Sequence, residues 1–341
     1  MTPRYIAGII FGMLIGIFVY YHLAFLPAGC IPKGAEGNAE FVKTKKYQAL
    51  KIPQTKFLLV GGSSVGMGIS AQLITDEIGV PTYNFSFWGS LGAEYILHLA
   101  KKVLNKGDTA LLCLEYEILD WGGKSKFWTD ESFIRFVIGT DSNFILRKTI
   151  YEKICIAASV SPASALSGLK SWLFKKFIKN TDIHSMPLGF DEFGDSLFDK
   201  NKLNKKNHFE NKIKIASKSY LYEFNDIPKA APALENFLEW ANQNGVHVVA
   251  TFPNLAQNER YTTERALAVD SKIRSFYRGF GVKVIGTPID AMFPINMYFD
   301  TNYHLMEPGI NQRTNVLIKK IGLEFDGYTI SKKSKQMIKN E

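Results

Sequence analysis

The sequence predicts an α/β fold, a parallel sheet with helices on both faces, preceded by a membrane-spanning helix and interrupted by a helical insertion. Three observations predict it. Short apolar runs at 57–61, 80–85, 109–116, 246–252 and 282–285 read as buried strands. Segments with helical apolar spacing separate most of them, the rhythm of strand–helix–strand crossovers. From Tyr5 to Pro27 no residue carries a formal charge, apart from the protonated fraction of His22.

The charge-free run at 5–27, in an expected anchor over 1–27, is long enough to cross a bilayer as a helix. Arg4 and the terminal amine before it favour a cytoplasmic N-terminus, and the lysines from Lys33 onward pull the other way. Leu26-Pro27-Ala28-Gly29-Cys30 partly matches a bacterial lipobox, with Pro27 where that motif takes Leu. A retained single-pass anchor at the cell membrane is the expectation, with a lipoprotein anchored at Cys30 as the alternative. Residues 28–55 contain Gly and Lys with little periodicity and read as a linker.

The α/β domain is expected over 56–325. A strand at 57–61 runs into Gly61-Gly62-Ser63-Ser64, followed by a helix around 70–78 and a strand over Val80–Phe85. Leu91 to Asn105 has helical spacing and stops at Lys-Gly-Asp, ahead of the strand from Thr109 to Tyr116. From about 120 to 230 the rhythm is lost in a Phe-, Trp- and Lys-rich insertion. Within it, Lys170–Lys179 reads as a basic amphipathic helix that packs on the domain or lies in a membrane interface. The rhythm resumes with helix 233–243, strand 246–252, helix 264–280, strand 282–285 and a closing helix over 310–321, before a basic tail at 326–341.

Composition narrows the function classes. The hydrophobic fraction of 46% over 341 residues supports a packed core. The three cysteines have no metal-ligand spacing, and Cys113 sits in an apolar run as a core residue would. The histidines at 98, 184, 208 and 247 form no metal pair, so no metal and no cofactor is expected. The net charge of +9 comes largely from local lysine runs without an RNA-binding signature. Nucleic acid is therefore not the expected partner; the lysines read either as solvated faces or as attraction to anionic lipid or polymer.

The chemistry points to two blocks. Ser64 follows the tip of the first strand, where a substrate can reach it. His304, in Asp300-Thr301-Asn302-Tyr303-His304-Leu305, can take its proton, and a carboxylate can hold the imidazole tautomer. Asp300, Asp290 and Glu307 are the candidate carboxylates. Ser63 is the alternative hydroxyl, or bonds the turn. A phosphate-binding loop is disfavoured, since no lysine follows the glycines.

At these residues the chain resembles the SGNH (GDSL-like) hydrolase superfamily, especially its membrane-anchored branch that modifies surface polysaccharides. Gly62-Ser63-Ser64 stands in place of the family's Gly-Asp-Ser block, and Gly66-Met67-Gly68-Ile69 continues the match. Tyr83-Asn84-Phe85-Ser86-Phe87-Trp88-Gly89 is similar to the second block, with Gly89 matching its oxyanion glycine. His304, Leu305 and Gly309 fit the last block, although Asp300 lies four residues before the histidine rather than the usual three. The family's Gly-x-Asn-Asp block is missing; Leu114-Glu115-Tyr116-Glu117 occupies its place, and Asn254 after a later strand is a weak substitute.

The resemblance covers roughly residues 55–120 and 245–325. It implies a three-layer flavodoxin-like sheet, with Ser64, His304 and Asp300 as catalytic residues and the amides of Gly89 and Ser64 as the oxyanion hole. The implied activity is that of a serine esterase or O-acyltransferase acting outside the cytoplasm on acyl, chiefly acetyl, groups of an envelope glycan. A multi-pass acyl-donor membrane protein is the implied partner. The missing block and displaced Asp300 leave a second class open, a non-catalytic glycan-binding or scaffold protein.

Overall fold

The computed structural model describes residues 3–26, 30, 36–120, 131–175, 189–197, 230–257 and 264–324. In chain order it begins with helices α1 (Pro3–Phe25) and α2 (Glu36–Lys51), then β1 (Phe57–Gly61), α3 (Ser63–Gly66), α4 (Ala71–Ile78) and β2 (Thr82–Ser86). Helix α5 (Gly92–Lys101), β3 (Thr109–Cys113) and α6 (Tyr116–Asp120) follow. Four helices come next: α7 (Glu131–Thr140), α8 (Ser142–Leu146), α9 (Ile150–Ser159) and α10 (Pro162–Lys175). The C-terminal part contains α11 (Ala231–Gln243), β4 (His247–Ala250), β5 (Leu255–Ala256) and α12 (Glu264–Gly279). It closes with β6 (Lys283–Val284), β7 (Met292–Phe293) and α13 (Glu307–Glu324).

The chain divides into two compact units. The first comprises residues 1–43 and 124–187, and the second residues 44–123 and 188–341. The expected insertion is thus divided: its helices α7–α10 belong with α1, and residues 188 onward belong with the sheet. The stretch expected as a linker carries the 16-residue helix α2, in which Lys45 and Ala49 are buried. The lysine runs beyond Lys175 and the basic tail lie outside the described residues.

The second unit is built on a five-stranded parallel sheet in the order β2-β1-β3-β4-β6. All five residues of β1, β2 and β3 are buried; β1 and β3 read as near-continuous apolar runs, whereas β2 alternates Thr82, Asn84 and Ser86 with Tyr83 and Phe85. On one face Phe57, Leu59, Leu111, Cys113 and Val249 pack with Ile74 and Ile78 of α4 and Leu317, Ile318 and Ile321 of α13. Leu58, Val60 and Leu112 point the other way and are equally buried. Helix α5 packs on β1, α11 on β4, and the two helices on each other.

Two polar devices fasten this sheet. Where β1 and β3 begin, Lys56 Nζ meets Asp108 Oδ2 at 2.5 Å, both side chains being buried, and Asp108 Oδ1 accepts the Lys56 amide. At β2, buried Lys45 donates to the carbonyls of Asn84 and Gly194, at 2.8 and 2.9 Å. Burial lowers the Lys45 pKa to about 7, opposed by Asp195 and Asp191. The same Asp195 accepts Ser70 Oγ and the amides of Ala71 and Gln72, capping α4 from far along the chain.

Strand ends depart from expectation by a few residues. Strand β3 stops at Cys113 because Tyr116 already begins a helix, so Glu115 lies past the strand tip. The two-residue parallel pair β5–β7 has no periodic signal and was not expected.

Candidate functional site

Chain order places the site. The chain passes from β1 outward to β2 and then returns to the other side of β1 to form β3. The carboxyl ends of β1 and β3 therefore flank the point where strand order reverses, the usual ligand position in open α/β sheets. Gly61 pairs with Cys113 in register, so the turn after β1 and residues 114–117 lie side by side.

That closeness explains the glycines. A Cβ on Gly61 would lie 2.3 Å from the Cys113 carbonyl oxygen, and one on Gly62 would lie 2.2 Å from Glu115 Oε2. The Glu115 carboxylate grips the turn: Gly62 donates its amide to Oε2 at 3.1 Å and Ser64 donates its amide to Oε1 at 2.8 Å. Ser64 is fully buried, and its Oγ makes no hydrogen bond of ordinary geometry among the described residues. Ser63 is half-buried. Burial raises the Glu115 pKa, opposed by hydrogen bonding from Ser64 and by the nearby His304.

The histidine arrives on a hairpin. Tyr298 and Leu305 form an antiparallel bridge, and Phe299 donates its amide to the His304 carbonyl at 3.1 Å. Inside this closed loop His304 Nδ1 lies 2.7 Å from Asp300 Oδ1, and the imidazole stacks on Phe299. A four-residue spacing thus brings carboxylate and ring together. Asp290 is engaged by Thr287 and Lys320, and Glu307 is exposed at the start of α13. Among the three candidate carboxylates, Asp300 is the one bonded to His304. With Nδ1–H donating to Asp300, Nε2 is left as the acceptor.

Several contacts hold this loop to the serine turn. Leu305 donates its amide to the Met67 carbonyl at 2.9 Å, three residues past Ser64. Asn254 Nδ2 donates to the Tyr303 carbonyl. Its Oδ1 lies where a Cβ on Gly68 would intrude, at 2.2 Å. Asn254 therefore anchors the histidine loop through the side-chain donor that was only a weak substitute for the family's missing oxyanion donor. Gly309 lets the loop approach α13, since a Cβ there would sit 2.9 Å from Leu305 Cδ2.

Tyr303 Oη donates to Glu117 Oε2. Burial pushes the Glu117 pKa up to about 8, with the Tyr303 bond opposing and Glu115 adding to the shift. Both glutamates were visible in sequence only as polar residues at a strand end. Their positions beside the serine and histidine blocks follow from strand pairing.

Gly89 begins a 3₁₀ turn three residues past β2 and is partly exposed. A Cβ at 89 would meet Ile118 at ordinary contact distance, 3.5 Å, so sterics do not require glycine there. The Ser64 amide, the other expected oxyanion donor, is instead directed to Glu115. That correction follows from β3 ending two residues before Glu115. A cavity of about 290 Å³ at the outer strand β6, lined by Arg274, Arg278 and Lys283 among others, includes none of these residues.

The chain matches no protein-family model, and no curated protein matches it.

Proposed function

We propose that this chain is a membrane-tethered SGNH-type serine esterase or O-acyltransferase with a flavodoxin-like core, acting on acyl groups of an envelope polysaccharide. The observation that carries the reading is the His304–Asp300 pair, bonded at 2.7 Å on a loop tied to the Ser64 turn through Leu305 and Met67. The strand order β2-β1-β3-β4-β6 supports the fold assignment. An apolar helix of 23 residues supports the tether, and the burial of Cys30 supports a retained helix over lipidation at that sulfur. The polysaccharide substrate is carried by the motif resemblance alone.

In this mechanism Ser64 Oγ attacks the acyl carbonyl while His304 Nε2 takes its proton, and Asp300 holds the imidazole and stabilises its charged form. The oxyanion forms against the Gly89 amide, and each such donor typically contributes about 3 kcal/mol. Collapse expels the first alcohol, which receives the proton from His304. Water or a sugar hydroxyl then attacks the acyl-enzyme, giving esterase or transferase outcomes.

The non-catalytic alternative has its own support: Ser64 is wholly buried and its amide is spent on Glu115. The test is intact-mass analysis of the full chain in detergent after exposure to a fluorophosphonate, with Ser64→Ala and Ser63→Ala alongside. One adduct lost only in Ser64→Ala supports the enzyme. Absence of any adduct on folded protein favours the binding or scaffold protein, and loss only in Ser63→Ala moves the nucleophile by one residue.

A further inference from the structure

Outside α1, exposed large apolar side chains concentrate in one segment of the first unit. Leu146, Ile150, Tyr151, Ile154, Leu166, Trp172 and Leu173 are all exposed, Ile150 and Tyr151 at 76%. On α9, Ile150, Ile154 and Ala158 recur every four residues and face outward, while Ile156 and Ala157 are buried. On α10, Leu166 and Leu173 are exposed seven residues apart, while Ala165 is buried. Each helix thus has a packed side and an apolar side turned away from the protein, a pattern that costs free energy in water.

Both α9 and α10 contact α1, and Tyr20 Oη donates to the carbonyl of Val160, in the short junction joining the two helices. Glu131 holds the same junction, accepting the amide and hydroxyl of Ser161 at 3.0 Å. Tyr20 sits near the C-terminal end of α1. A helix of 23 residues is about 34 Å long, against a hydrocarbon core of about 30 Å. Tyr20 and Tyr21 accordingly lie in the last two turns of α1, toward one end of the span. The exposed basic residues Arg147 and Lys170 border the apolar stripe and match anionic lipid.

We propose that the α9–α10 helix pair is a second membrane contact, with its outward apolar stripe lying in the headgroup–acyl boundary of the leaflet from which α1 emerges. This rests on the membrane-anchor part of the proposed function. The bilayer covers the stripe, and the first unit is held by a surface helix pair as well as by a span.

The experiment uses the full chain with Cys30, Cys113 and Cys155 replaced by alanine and one new cysteine carrying a nitroxide. The protein is reconstituted in vesicles of phosphatidylethanolamine and phosphatidylglycerol. Power saturation compares accessibility to oxygen with that to a water-soluble nickel chelate at Ile154→Cys and Leu166→Cys. Leu14→Cys on α1 and Glu235→Cys on α11 serve as lipid and water references, and circular dichroism checks that each variant is folded. The expected result is an oxygen-to-nickel ratio at 154 and 166 several-fold above that at 235 and approaching that at 14. A water-like ratio at 154 and 166 beside a lipid-like ratio at 14 overturns the second contact and leaves the anchor standing. Protection of 154 and 166 from both reagents means that protein covers the stripe, and also overturns it. A water-like ratio at 14 removes the anchor itself.

Discussion

Glu117 is a half-buried carboxyl bonded to Tyr303 of the histidine loop, and its titration has a defined sign. Its pKa rises to about 8 on folding, whereas in the unfolded chain it titrates near 4.3. Between those values the folded protein holds a proton that the unfolded chain has lost. Its contribution to stability is therefore complete below the unfolded value and disappears as pH rises through about 8. Glu117→Gln keeps an acceptor for Tyr303 and removes the titration. Urea unfolding across this pH range should show a decline on the order of a few kcal/mol in the parent and a flatter profile in the variant. Asp300→Asn tests the other carboxylate. On the proposed mechanism an amide accepts the Nδ1 proton less well and favours the wrong tautomer, so fluorophosphonate labelling of Ser64 should slow by about 10⁴, the loss typical when a serine-protease triad loses this carboxylate, with little change in unfolding midpoint. Serine, histidine and Gly-Gly were legible as residue types with chemistry attached. Glu115 was not, because a glutamate after a strand has many uses, and its bond to the Ser64 amide joins residues 51 apart.

At the element scale, β1 and β3 are aligned by the ion pair that joins their leading ends. Asp108 accepts the buried Lys56 amide and ammonium and the amide of exposed Asn105. Asp108→Ala would leave the Lys56 ammonium buried without this partner, which typically costs about 3–5 kcal/mol. The unfolding free energy should fall by that amount, read as a lower denaturation midpoint with the m-value unchanged. The strands and helices of the sheet were legible because central strands β1 and β3 are short apolar runs and the covering helices repeat their apolar residues. Helix α2 was missed because its lysine-rich pattern lacks that repeat, and a buried lysine such as Lys45 does not look like a core residue in sequence. The β5–β7 pair is two residues long and carries no period at all. It nevertheless sits under the histidine loop, packing Ala256 and Phe293 with Tyr298 and Leu305.

Over the whole molecule, a charge of +9 and an apolar helix offer two different routes to a membrane. Salt separates them. At about 1 M the Debye length falls to roughly 3 Å, so attraction of surface lysines to anionic lipid is lost while hydrophobic burial of α1 persists. The chain should remain with the membrane pellet through such a wash and leave it only in detergent, as read by immunoblot of the two fractions. The grouping of α1 with α7–α10 was not legible, because a region without strand rhythm reads as one insertion whichever partner its helices choose.

Sequence alone determined the α/β class, the buried strands, the glycine-serine turn, the histidine block and the apolar N-terminal helix. Each is written locally, in burial, in spacing or in the conformational demands of a few residues. Tertiary structure decided that Glu115 engages the Ser64 amide, that Asp300 is the carboxylate on His304, that Asn254 anchors the histidine loop and that Lys45 is buried. Those assignments depend on which strands become neighbours and where each one stops, and no local pattern carries that information.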